Sequence, residues 1–426
     1  MQYHKIENTR LGEVVYAGEH KSGLGVFVIP KKGFYKKYAI FGTRYGSMDN
    51  RFVPLGESNP ILVPDGVAHF LEHKMFEQPD GGNAFDAFAK YGANANAFTS
   101  FTNTCYLFSC TNHFNENLEH LISYVQTPYF TEENVSKEQG IIGQEIRMYD
   151  DDPQWQVTFQ LLKAIYHNNP VNIDIAGTVE SIAQIDKDVL YRCYNSFYNP
   201  GNMVLCVAGD VDVDEVFAIA DRTVRADGPT GAVKSIYPDE PDAIVQKRIE
   251  QSLAVSIPMF NIGFKDNHLQ TGREFLKYEL GTNLLLRLIA GHSSDLYCNL
   301  YEQGLVNAEF GTDLMMEPQY SCAIIGGESE HPDQVVERVM EAISSMRKNG
   351  IDKTAFERAK RAALGSFLRS FNDVEDIATM YCRNILNGVD VMDFPSVYDQ
   401  IDLGFLTQRL QEVFREENMA VSLITQ

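Results

Sequence analysis

The stretch "VPDGVAHFLEHKMFEQPDGGNAF", residues 63–85, carries two histidines four positions apart with a glutamate directly before the second. On an α-helix His69 and His73 share one face, so their imidazoles can reach a single ion, and Glu72 lies on the same side one step round. Zinc accepts imidazole nitrogens and a carboxylate oxygen, and in catalytic sites it keeps a fourth position for water. The order His-x-x-Glu-His inverts the His-Glu-x-x-His zinc-binding helix. The plain alternative is a solvated or hydrogen-bonded helix face.

A third ligand is required, and the segment "TEENVSKEQGIIGQEIRMYDD" offers one. Thr131 reads as an N-cap, with Glu132 and Glu133 in the first turn, where the helix dipole favours negative charge. From Glu138 the spacing i, i+3, i+4, i+7 runs through Ile141, Ile142 and Glu145, placing two carboxylates on an apolar stripe that should face the core. Carboxylates there need partners. Glu145 is the candidate ligand, Glu138 a candidate to orient a ligand or the water, and Glu133 a further competitor.

Around these helices the chain reads as mixed α and β. "GLGVFVIPKKG" and "KKYAIFGTRYGS" suggest paired strands, "NANAFTSFTNTCYLFSC" a strand or hairpin, and "NENLEHLISYVQ" a helix. Gly, Pro and Asp accumulate over residues 225–242, where periodicity fades. The expected division is a zinc-bearing domain over 1–228, a linker over 229–245 and a second domain over 246–426. "FYNPGNMVLCVAGD" and "FREENMAVSLITQ" echo one another as an aromatic, a polar turn, Asn-Met and a strand, which suggests two copies of one unit.

Composition narrows the partners. Against 36 basic residues stand 58 acidic ones, a formal net charge of −22 that repels phosphate backbones and anionic lipid, so neither nucleic acid nor membrane is expected. No window of about 18 apolar residues offers a span, and the N-terminus lacks the apolar region of a signal peptide. Seven cysteines without a Cys-x-x-Cys pair suggest no disulfide framework. A cytoplasmic location is the expectation.

The motifs "HFLEHKMF", "GANANAFTSFTNTCYLF", "KEQGIIGQEIRMYDDDP" and "IDIAGTVESI" together resemble the pitrilysin, insulin-degrading and mitochondrial-processing peptidases, the inverzincins. The likeness is nearest to the short bacterial paired type, as its zinc-bearing subunit. It implies an α+β fold of two similar α/β units, each an antiparallel sheet with helices on one face. It implies Zn2+ on His69, His73 and Glu145, Glu72 as general base, and a peptide substrate added as a strand along Asn96, Ala97 and Phe98. A zinc endopeptidase acting on short or unfolded peptides follows.

The second half departs from the family pattern. Aligning "FERAKRAALGSFLRSF" with "SKEQGIIGQEIRMY" sets Glu357 against Glu138 but Leu364 against Glu145, and no His-x-x-Glu-His follows the linker. Self-sufficient members carry an Arg and a Tyr in this half to hold the substrate and the tetrahedral intermediate. Here Tyr301 and Asn307 stand in "CNLYEQGLVNAEF" instead. The resemblance then implies a dimer, a heterodimer with a paralogue that supplies the Arg and Tyr. A non-catalytic scaffold paralogue is one rival reading, and a small-molecule metallohydrolase another.

Overall fold

The computed structural model describes residues 1–426. No helix is long and apolar enough to cross a membrane. By their internal contacts the residues form two units. The first consists of Met1–Ile146, Asp174–Tyr237 and Leu368–Met392, the second of Arg147–Ile173, Pro238–Phe367 and Asp393–Gln426.

The first unit holds strands β1 (Tyr3–Asn8), β2 (Glu13–Glu19), β3 (Gly25–Pro30), β4 (Lys37–Thr43), β5 (Arg51–Val53), β6 (Ile61–Leu62), β7 (Asn94–Thr99), β8 (Thr104–Cys110), β9 (Met203–Gly209) and β10 (Lys234–Ser235). Seven of them form one sheet in the order β1-β2-β3-β9-β4-β8-β7. Every pair is antiparallel except β3 with β9. The segments "GLGVFVIPKKG" and "KKYAIFGTRYGS" therefore do not pair with each other as expected, because β9 lies between β3 and β4. All seven residues of β9, "MVLCVAG", are buried. A strand apolar on both sides belongs at the centre of a sheet covered on both faces.

Helices α1 (Val67–Lys74), α3 (Phe114–Val125) and α4 (Glu132–Asp150) follow the predicted spans, and α2 (Ala84–Lys90) is a further helix that the sequence reading did not include. Thr131 opens α4 with a reciprocal cap: Asn134 N donates to Thr131 Oγ1 at 3.1 Å and Thr131 N donates to Asn134 Oδ1 at 2.8 Å. The other face of β4 and β9 is covered by the helix Val374–Leu386, which the second half of the sequence contributes.

In the second unit β11 (Arg248–Ser252), β12 (Met259–Lys265), β13 (Gly311–Glu317), β14 (Tyr320–Glu328) and β15 (Met419–Thr425) form a sheet in the order β11-β15-β12-β14-β13. This reproduces β3-β9-β4-β8-β7 strand for strand, including the single parallel pair, β11 with β15. The echoing segments are equivalent: the turns Pro200–Asn202 and Glu416–Asn418 each lead into the second strand of that five-strand order. Helix α5 (Pro153–Ile165), from the first half of the sequence, packs on β12 and β15. Arg409, wholly buried, pairs with buried Asp266 and also donates to Thr282 Oγ1 at 3.1 Å.

What fixes α1 is a close approach of two backbones. Gly66, its N-cap, has φ 91°, and a Cβ there would lie 2.4 Å from the carbonyl oxygen of Ala176. Gly177 (φ 76°) in turn sits where a Cβ would meet the Asp65 oxygen at 2.6 Å, and Ser181 Oγ donates to that oxygen at 2.9 Å. The motif "IDIAGTVESI" is thus the support against which the histidine helix begins. Gly66→Ala combines left-handed strain, about 1–2 kcal/mol, with a backbone collision. It is expected to lower the urea midpoint clearly more than Gly56→Ala, where φ is 82° but nothing lies within 4 Å.

Candidate metal centre

Helix α1 turns Phe70 and Leu71 into the core, and this leaves His69 and His73 half-buried toward α4. Their rings lie 4.6 Å apart. Glu145 of α4 faces both: its Oε1 is 3.8 Å from His69 Nε2 and its Oε2 is 3.6 Å from His73 Nε2. One ligand atom from each of the three residues lies within 4.8 Å of the others. A tetrahedral ion about 2.0–2.1 Å from its donors needs them roughly 3.3 Å apart, so small side-chain shifts suffice. Two imidazoles and a carboxylate are a donor set suited to zinc.

The tautomer of His73 is set from behind. Its Nδ1 faces Glu138 Oε1 at 3.0 Å, so with the proton on Nδ1 the Nε2 lone pair points at Glu145. Glu138 is buried, and its Oε2 faces Lys74 Nζ at 3.4 Å. Burial alone raises the Glu138 carboxyl, but the His73 hydrogen bond and the Lys74 charge outweigh it and hold Glu138 below the usual carboxylate range. Burial likewise opposes protonation of His73, and the bond to Glu138 with the charges of Glu72 and Glu145 raises it. His69, with no protein partner for Nδ1, is pushed down to about 3, first by burial and then by His73. It is a neutral lone-pair donor at neutral pH.

Glu72 is buried, which raises its carboxyl despite the hydrogen bond that Thr99 Oγ1 donates to Glu72 Oε2 at 2.7 Å. Thr99 ends β7, whose residues alternate: Ala95 and Ala97 pack on the core while Asn94, Asn96 and Phe98 are exposed. The small inward residues allow α1 to lie against the strand. β7 is one of the two edge strands of its sheet. Ser100 N bonds Asn103 O across the hairpin, and the antiparallel alternation then pairs the main chains of Phe98 and Asn96 with β8. The main chain of Ala97 faces outward, and Asn96 Oδ1 accepts from its N–H at 2.9 Å.

The structure places His69, Glu72, His73, Glu138 and Glu145 close together, with Glu133 exposed and outside the group. Ile141 was expected inward and is 46% exposed, since the buried stripe of α4 narrows to Glu138, Ile142 and Ile146. Two participants escaped the sequence reading. Thr99 had a signal, the inward parity it shares with Ala95 and Ala97; Lys74, a charged residue at the end of a helix, had none. Tyr301 and Asn307 belong to the second unit. Tyr301 is exposed and stacks on Tyr297, while Asn307 Nδ2 donates to Glu328 Oε2 at 2.7 Å.

Residues 63–179 match the family model described as Insulinase (Peptidase family M16), and residues 184–363 match Peptidase M16 inactive domain. An uncharacterized zinc protease of Bacillus subtilis (strain 168), YmfH, is 44% identical over 423 residues, covering 98% of this chain and 97% of that protein. The mitochondrial-processing peptidase subunit beta of Caenorhabditis elegans is 25% identical over 397 residues, covering 85% and 81% of the two chains. The crystal structure of a putative M16-like peptidase from Alicyclobacillus acidocaldarius superposes with a TM-score of 0.94 at 34% identity, covering 100% of this chain and 99% of that one. Pitrilysin shares the fold, with a TM-score of 0.76 at 17% identity over 99% of this chain and 46% of its own.

The two α4 carboxylates are separable by zinc affinity. Glu145→Gln removes a convergent donor and is expected to weaken zinc binding in chelator competition far more than Glu138→Gln. The latter loses only the support behind His73, worth about 10- to 100-fold.

Proposed function

Because this chain belongs to the M16 insulinase family of peptidases, we propose that it is a zinc-dependent endopeptidase subunit that cleaves short or unfolded peptides held as an added strand along β7. The observation that carries the reading is the convergence of His69, His73 and Glu145 within 4.8 Å, with the Glu72 carboxylate buried on the same helix. When bound to these three residues, zinc supplies the Lewis acidity that makes a water acidic near neutral pH.

The protein's own groups do the rest. Thr99 fixes Glu72 through Oε2, leaving Oε1 to take the proton of the attacking water and return it to the leaving amine. Burial of Glu72 suits it to hold that proton between the two steps. A peptide adding to β7 would displace the Asn96 side chain from the Ala97 N–H and pair there through its main chain. Pairing by main chain tolerates many sequences and requires an extended substrate. Because Thr99 continues the strand that carries Ala97, the strand that docks the peptide also holds the hydrogen bond that positions the base.

The positions that hold an Arg and a Tyr in self-sufficient relatives carry Tyr301 and Asn307, and Asn307 is engaged with Glu328. We therefore propose that a paralogue supplies the missing donors in a heterodimer, and that the second unit of this chain binds no zinc.

Glu72→Gln is expected to keep zinc and lose about 100- to 10,000-fold in kcat; loss of zinc comparable to His73→Ala would make Glu72 a ligand instead. Thr99→Val removes a hydrogen bond to a carboxylate, typically about 1.5–3 kcal/mol, and should lower kcat about 10- to 100-fold at unchanged zinc content, with Thr99→Ser restoring it.

The purified chain alone is expected to show only trace cleavage of an unstructured peptide. One absent oxyanion donor costs about 100- to 1000-fold, so mixing with a paralogue that carries the Arg and Tyr should restore activity by that order. Full activity from the chain alone, indifferent to Tyr301→Phe, would overturn the heterodimer.

A further inference from the structure

Three of the seven cysteines, Cys105, Cys206 and Cys382, meet at one point of the first unit, and none of them is among the residues assigned to the metal centre above. Cys105 on β8 stands opposite Gly42 of β4, and Cys206 on β9 stands opposite Ile40. Gly42 and Ile40 are two residues apart on one strand, so both thiols emerge on the same face of the sheet, on either side of β4. This is the face covered by the helix Val374–Leu386, which carries Cys382.

The missing side chain of Gly42 makes room for the third thiol. A Cβ built there would come within 2.7 Å of Cys382 Sγ and 3.0 Å of Cys105 Sγ. Cys382 accordingly sits over β4 within hydrogen-bonding reach of both Cys105 and Cys206. All three are buried and reduced. Arg44 adds a cation: its Nε and Nη2 donate to the carbonyls of Leu386 and Ile385, at the end of the same helix. Hydrogen bonds from Cys105 and Cys206, together with the Arg44 charge, hold the Cys382 thiol below the usual range against the effect of burial. The bond to Cys382 and burial push Cys105 up, and burial first of all pushes Cys206 up. One thiol favoured as thiolate beside two protonated ones shares its charge state and its adjacent resolving partners with an oxidisable cysteine, while its burial restricts access.

We propose that Cys382 is a peroxide-modified site that resolves into a disulfide with Cys105 or Cys206. The Cys382 thiolate attacks one oxygen of hydrogen peroxide, the O–O bond breaks, hydroxide leaves and takes up a proton as water, and Cys382 becomes a sulfenic acid. The neighbouring thiol, giving up its proton, attacks that sulfur; the S–O bond breaks, a second water leaves and an S–S bond forms. Two thiols are oxidised and one peroxide is reduced to two waters. Because all three thiols are buried where that helix packs on β4 and β9, only a small oxidant such as hydrogen peroxide can reach them, and the reaction should be slow. The bond would fasten the segment Leu368–Met392 to the first-half sheet, so oxidation should stabilise the first unit by closing a long loop.

The test treats the full-length, zinc-loaded protein with hydrogen peroxide, blocks free thiols, and maps unreduced tryptic peptides by mass spectrometry. The expected result is a Cys382 peptide joined to a Cys105 or Cys206 peptide, with an upward shift of the urea midpoint that a reductant reverses. Cys105→Ser should divert the bond to Cys206, and Cys206→Ser should divert it to Cys105. Cys298→Ser, which removes the exposed cysteine, should change nothing. A fully alkylated, unlinked Cys382 after treatment, or its conversion to sulfonic acid without a disulfide, would overturn the proposal, and the unmodified wild-type chain alone suffices to see either.

Discussion

A buried ammonium holds the histidine helix and the carboxylate helix to one another. Lys74 Nζ, wholly screened from solvent, faces Glu77 at 2.7 Å and Glu138 at 3.4 Å. A carboxylate in a core is costly unless paired, and Glu138 is the group that orients His73. Without Lys74 the anion behind the histidine would take up a proton or leave the core, and His73 would lose the bond that aims Nε2 at Glu145. The site thus depends on a charge that touches neither the three converging ligand atoms nor β7. Each ion of the set is compensated by a neighbour, the condition under which buried pairs persist.

The parts of the centre governed by local spacing were legible from sequence. Histidines four apart, a capped helix beginning at Thr131, and Glu138 and Glu145 seven apart all depend on helical periodicity, which a short window records. Contacts that need a register between distant strands were not legible: Thr99 meets Glu72 only because β7 runs beside α1. The insertion of β9 between β3 and β4 rests on a strand more than half the first unit away in sequence, while adjacency in the chain suggested direct pairing. Lys74 was invisible because a lysine at the last turn of a helix usually reads as solvated. Ile141 misled because a stripe drawn at i, i+3, i+4, i+7 is wider than the face α4 buries.

The second unit repeats the strand order of the first. β11-β15-β12-β14-β13 reproduces the first sheet with its single parallel pair, although Leu364 stands where Glu145 does in the alignment. Polar burial survives in another form, as the Arg409 guanidinium against Asp266, Thr282 and the ring of Tyr278. That arrangement anchors a helix and has no donor set for a metal.

The exchange of helices between halves also dictates an order of events at the ribosome. Tyr38, Ile40, Cys105 and Cys206 lie on a sheet face whose cover, the helix Val374–Leu386, is translated near the end of the chain. Until then the nascent first unit presents one finished hydrophobic side and one bare one, a surface of the kind that chaperones bind and that aggregates when left alone. The half that carries His69, His73 and Glu145 can therefore be made early but completed only late. Severing the chain between its halves would leave each sheet without the helix that the other half encodes.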